Sequence, residues 1–223
     1  MKWGKTKEIV KKSMVTALSL TLVVGLQAFA ANTSTMNQAI NAGSKSVDIV
    51  DSGGTPVGSP SVTFSATTFS FDTQDSNNAV LGTSSERIRA YNPTNDQTLT
   101  VSIAGSATTA VWTTGSYTYD FNDPNGSGYT DGGDTDSVGG QLSIDASPGT
   151  LAGVSGCSTA NVAKGTAASF SEGATDSIDL ITSTDNSSNR RCRWDLTGVD
   201  MDQKIPAAQD PGSYTLTLTL SIV

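Results

Sequence analysis

The chain has no histidine among its 223 residues. That removes the Ser-His-Asp triad, the Cys-His dyad and every zinc site that depends on imidazole. Charged residues are scarce at 15%, and aromatics reach only 6%. Basic groups are the minority, with 13 Lys and Arg against 21 Asp and Glu for a formal charge of −8. Such a balance argues against a nucleic-acid partner, which calls for a Lys/Arg footprint. After residue 30 no apolar run approaches the roughly 20 residues that span a bilayer. Nor does any segment there repeat its apolar residues with a helical period. What is abundant is Ser, Thr, Gly, Asn and Asp.

The first thirty residues read as an address. Lys2, Lys5, Lys7, Lys11 and Lys12 stand against a single acid, Glu8, and an apolar stretch from Met14 to Leu26 follows. It ends at Ala28-Phe29-Ala30, a small-x-small pattern. A basic head, a short apolar centre and an A-x-A site predict a secretory signal peptide over 1–30, a signal helix cleaved after Ala30. The apolar centre is too short to serve as a retained anchor. The leader takes five Lys and one Glu with it, leaving 8 basic and 20 acidic residues, a formal −12. A surface of that sign repels anionic polymers and attracts divalent cations. No sorting signal precedes Val223, so retention on the cell is expected to rest on non-covalent contacts.

Cys157 and Cys192 are the only cysteines. In an oxidising compartment two cysteines pair as a rule, which predicts an intramolecular disulfide. Free thiols or an intermolecular link are the alternatives that the sequence leaves open.

The mature chain predicts an all-β fold. Its last segment alternates cleanly, with Tyr214, Leu216, Leu218, Leu220 and Ile222 on one face and Thr215, Thr217, Thr219 and Ser221 on the other. Shorter alternations involve Val47 and Ile49, Ile88 and Ala90, Leu99, Val101 and Ile103, and Leu142 with Ile144. Ile178 with Leu180 and Trp194 with Leu196 do the same. Val62 with Phe64, and Phe69 with Phe71, read as two further short strands. Eight to ten short strands between turn-rich loops give one β-sandwich domain over 47–223, preceded by a flexible lead segment over 31–46. Two long loops are expected, residues 104–140 and 146–175, and loops of that length are as a rule functional or pinned.

The first of these loops contains DFNDPNGSGYTDGGDTD at 120–136. Asp120, Asn122, Asp123, Asn125, Asp131, Asp134 and Asp136 offer hard oxygens with no Lys or Arg among them. Calcium takes six to eight such ligands, and glycine-bounded turns let backbone carbonyls join them. The spacing is not that of an EF-hand, so the expectation is an irregular Ca2+ site, weighed against a solvated turn-rich loop.

Three stretches carry a resemblance. Asn41-Ala42-Gly43 with Val47-Asp48-Ile49-Val50-Asp51, Ser85-Glu86-Arg87-Ile88 with Asn92-Pro93, and Ile205-Pro206-Ala207 with Gly212-Ser213-Tyr214-Thr215-Leu216 resemble secreted surface proteins of candidate phyla radiation bacteria. More distantly, Trp194-Asp195-Leu196 resembles the first motif of WxL cell-wall-associated domains. Tyr214, Leu218 and Thr219 match the second motif, with Leu220 in the place of its Trp and Ile222 in the place of its Leu. The resemblance implies an all-β, Ig-like or WxL-like fold attached non-covalently to the cell envelope.

Together these readings predict a secreted structural or adhesive protein of the cell surface, not an enzyme, whose partners are an envelope polymer or other surface proteins. Two variants accompany it. One is a filament subunit in which residues 31–46 lend a strand, or the C-terminal strand accepts one. The other is a carbohydrate- or peptidoglycan-binding module that stacks sugars on Trp112, Tyr117 and Tyr119; Trp194 is a further binding candidate through the WxL-like motif, weighed against an ordinary core aromatic on a strand. A glycosidase needs only two carboxylates, but no acid here sits isolated among aromatics. Arg190, Arg191 and Arg193 form a basic cluster expected to pair with Asp185 or Asp195.

Overall fold

The computed structural model describes residues 38–107, 109–123 and 139–223. The leader expected over 1–30 lies outside the described residues. The chain divides into a unit of residues 1–40 and a unit of residues 41–223, and the second carries all the described strands. These are β1 (Ser46–Val50), β2 (Asn78–Leu81), β3 (Arg87–Asn92), β4 (Leu99–Gly105) and β5 (Val111–Thr113). They continue with β6 (Thr118–Asp120), β7 (Asn122–Asp123), β8 (Gly140–Asp145), β9 (Thr150–Gly153) and β10 (Val162–Lys164). The last are β11 (Ala168–Ser169), β12 (Ser177–Ser183), β13 (Cys192–Thr197), β14 (Val199–Lys204) and β15 (Leu218–Ile222). One 3-10 turn at Ser187–Asn189 is the only helical element among the described residues, which are otherwise all-β.

Every pairing among the described residues is antiparallel. One sheet runs β1-β3-β13-β9, a second β10-β12-β4-β15, and a third β11-β8-β14-β2, with β7 added beside β8; β5 and β6 form a hairpin. The first and third sheets share a corner. β2 leads into β3 just past Gly82, β13 into β14 through Gly198, and β8 into β9 through the turn holding Gly149. The strand order β3-β13-β9 on one side therefore repeats as β2-β14-β8 on the other. Gly82 (φ +82°) and Gly198 (φ +74°) take left-handed backbone that a side chain resists, and the Gly198 amide donates to the Gly82 carbonyl at 2.7 Å. A Cβ on Gly149 would stand 2.7 Å from the Thr197 carbonyl oxygen. Glycines thus let three strands bend at one level.

The core fills the inside of this corner. Ile88 and Ala90 on β3, and Trp194 and Leu196 on β13, are fully buried. So are Leu142 on β8 and Val199 on β14. They belong to one cluster with Leu99, Val101 and Ile103 of β4 and Ile178 and Leu180 of β12. The register shifts between Asp179 and Ile181 on β12, and this bulge lets the consecutive residues Leu180 and Ile181 both be buried.

Three expectations need correction. Residues 104–140 are not one long loop, because β5, β6 and β7 lie within them, and residues 146–175 contain β9, β10 and β11. These strands have two to four residues each, too short to show an alternation, and they form because longer neighbours supply the ladder. Residues 57–73, read from Val62, Phe64, Phe69 and Phe71 as two strands, contain none. Val62 and Phe64 instead pack against the core from an irregular strap, while Phe69 and Phe71 contact each other edge-on at 4.9 Å and stay exposed. Finally, Asp195 does not pair with the basic cluster at 190–193. It accepts from Arg89 Nε at 2.5 Å and from Arg87 Nη1 at 3.4 Å, within a site almost closed to solvent. That pair holds the Arg89 guanidinium well above its ordinary value. Arg191 reaches Asn95 Oδ1 and Arg193 reaches Ser155 Oγ instead.

Candidate functional site

Four aromatic rings gather where β5, β6 and the segment before β15 meet. The Thr113–Thr215 bridge ties that segment to β5. Trp112 pairs across the hairpin with Tyr119, and their rings stack at 5.8 Å with an interplanar angle of 16°. Phe64 meets Trp112 edge-on at 5.4 Å, and Tyr214 meets Tyr119 at 4.9 Å. The Trp112 indole donates to Gln203 Oε1 at 2.8 Å. Gln203 is fully buried on β14, and its amide nitrogen donates to the Lys204 and Asp120 carbonyls. Burial pushes the Tyr119 phenol well above its usual range.

Beside this cluster lies an apolar cavity of about 300 Å³, lined by Ile49, Phe64, Ile103, Trp112, Leu218 and Leu220 among others. Glu86 and Ser61 contribute the polar part of its wall. The cavity suits an apolar group; it offers little to orient a polar substrate.

The four aromatics singled out as binding candidates are scattered in role. Tyr119 (5% exposed) and Trp194 (0%) present no ring face to solvent. Trp112 is half-buried between Phe64 and Tyr119, and only Tyr117 is exposed. Trp194 has a structural task. Its indole donates to the Ser158 carbonyl at 2.8 Å, two residues from Cys192 on the same strand. Cys157 and Cys192 are joined in a disulfide with Cα atoms 5.6 Å apart and a sequence separation of 35. The bridge and the indole therefore clamp one loop, residues 154–161, onto β13.

Of the proposed calcium ligands, Asp120, Asn122 and Asp123 are buried on β6 and β7, where they form part of the fold rather than of an open loop. Asn125, Asp131, Asp134 and Asp136 lie outside the described residues. Among the described residues no group of three or more Asp, Glu, His or Cys side chains is arranged to hold a metal ion.

One acidic surface escaped the sequence reading. Asp145 on β8 lies opposite Asp200 on β14, and Asp202 follows two residues along, all in a groove of about 500 Å³ shared with Asn78 and Val80. Asp145 Oδ1 accepts from the Ser147 amide at 2.8 Å, and Asp202 Oδ1 from the Asn77 amide at 3.1 Å. The alternation Val199-Asp200-Met201-Asp202-Gln203 was the available signal. No family model matches the chain, and no curated protein or solved structure matches it.

Proposed function

We propose that this chain is an exported structural or adhesive protein of the cell surface, folded as a single β-sandwich and held at the envelope without a covalent link. The observation that carries the reading is the Cys157–Cys192 bridge. A structural disulfide belongs to an oxidising compartment, and the basic-apolar-small pattern of residues 1–30 offers the route there. The all-β architecture, the Ser/Thr-rich surface and the lack of histidine agree with a binding or scaffolding role, and no reaction is part of the reading. The resemblance to surface proteins of candidate phyla radiation bacteria, and more distantly to WxL domains, points to the same place. Calcium enters as a stabiliser of the acidic run at 120–136. A sugar-binding module is less well supported, because Tyr119 is a core residue and Trp112 is half-buried.

The test is recovery of the chain from an exporting bacterial host. Mass spectrometry is expected to find Ala31 as the first residue and no free thiol. The same material is expected to sediment with cell-envelope preparations and to be released by chaotropic salt. An uncut leader with two reduced thiols, or no retention on any envelope preparation, overturns the reading.

A further inference from the structure

Strand β15 ends the second sheet. Its hydrogen bonds run to β4 alone, and the reciprocal Thr100–Val223 bonds at 3.0 Å with the Ser106-to-Thr217 bond at 3.1 Å fix which residues make them. Residues 217, 219, 221 and 223 turn their backbone groups toward β4. Leu216, Leu218, Leu220 and Ile222 must then turn theirs to the open edge. Among the described residues no backbone bond meets them there. Pro60, Ser61, Val62 and Phe64 share a cavity with these leucines, yet the strap does not pair with the strand. The side chains of residues 216, 218, 220 and 222 remain only half-buried.

Sheet edges are normally guarded by Lys, Pro, a bulge or an inward-pointing charge. The run Tyr-Thr-Leu-Thr-Leu-Thr-Leu-Ser-Ile-Val at 214–223 has none of these. Charge is also absent from all of 211–223 and all of 97–118, the two stretches that supply β15, β4 and β5. In a chain of formal charge −8, copies repel across most of their surface. β15 itself brings no charge to a meeting of two copies, although Glu86 lines the cavity beside it and Asp48 stands on the neighbouring β1.

We infer that β15 is a self-pairing edge, and that two copies of this chain join their second sheets antiparallel through it, about a two-fold axis. The inference goes beyond the surface-protein reading and does not depend on it. With Thr219 facing its own counterpart on the axis, Leu218 lies opposite Leu220 and Leu216 opposite Ile222, so all four open-edge residues find partners in register. The threonines form an uncharged ladder on the exposed face. The contact is isologous and closes on itself, which gives a dimer and not a fibre.

Sedimentation velocity over about 1 to about 100 µM tests this. The purified chain is expected to pass from monomer to dimer across that range. Thr219→Lys, at an exposed position whose backbone already serves β4, places two ammonium groups side by side across the axis. It is expected to weaken dimerisation at least about tenfold. Thr150→Lys, an equal change of charge on exposed β9, is expected to leave it unaltered, and matching circular dichroism checks the fold of both. Hydrogen exchange is expected to show the Leu218 and Leu220 amides gaining protection as concentration rises. A monomer throughout, a dimer indifferent to Thr219→Lys, open-ended polymers, or Leu218 and Leu220 amides that ignore concentration would each overturn the inference. None of these outcomes bears on envelope retention, which is measured separately.

Discussion

Removing the disulfide tests how the loop-rich half of the domain is held. The bridge joins positions 35 residues apart, and the segment between them contains β10, β11 and β12. In the unfolded chain that closure removes conformational freedom worth roughly 4 kcal/mol. The native side needs little from the bridge, because β9 already pairs with β13 from Trp194↔Gly153 to Thr197↔Thr150, and the Trp194 indole holds Ser158. The double variant Cys157→Ala/Cys192→Ala is therefore expected to keep its fold and to lose about 2–4 kcal/mol, felt through the unfolded state. For a domain of this size that is roughly 5–15 °C in Tm. Urea unfolding followed by tryptophan fluorescence measures it, and the slope against urea is expected to rise, since the unfolded chain without its cross-link exposes more surface. The decisive quantity is the free-energy difference itself: equal stability of bridged and bridgeless chains would refute the reasoning.

Three further outcomes follow from the geometry. Arg89→Ala strands the buried Asp195 carboxylate with only the long Arg87 contact, and is expected to cost about 3–5 kcal/mol in urea unfolding, with Arg89→Met no better than partial relief. Asp96 is held down to about 2 by the hydrogen bond from Lys45, with a further one from the Thr98 amide. Its contribution is present above the ordinary aspartate value and disappears as pH falls through about 2, so Asp96→Asn is expected to flatten that part of the stability-against-pH curve and leave the neutral region's shape alone. Millimolar calcium is expected to raise the Tm of chelator-treated protein and to slow proteolysis within 120–136, whereas an unchanged melt removes calcium from the account.

The all-β class was readable because β3, β4, β13 and β15 alternate apolar and polar residues over five to seven positions. The disulfide was readable from the cysteine count together with the expected export. What escaped was whatever depends on partners distant in sequence. β9 and β11 are small-residue segments that become strands only beside β13 and β8. Val62 and Phe64 look like strand residues, yet the strap they sit on runs between Pro56, Pro60 and the cavity without a ladder. The Arg89–Asp195 pair could not be told from the nearer arginines at 190–193, since proximity along the chain says nothing about which side of a sheet a residue faces. The aromatic cluster was half visible: Trp112 and Tyr119 were singled out together, but Gln203 and Phe64, which fix the indole, come from elsewhere in the chain.

Were the chain anchored at a surface, as proposed, and drawn upon from outside, the sulfur bridge would limit its reach. Pulled out fully, residues 157–192 would add roughly 120 Å at about 3.4 Å each. Once the domain unfolds under load, the bridge carries the tension from Cys157 to Cys192 and keeps the segment that supplies β10, β11 and β12 out of the extended length. Opening that link by reduction would convert a short, stiff connection into a longer, more yielding one.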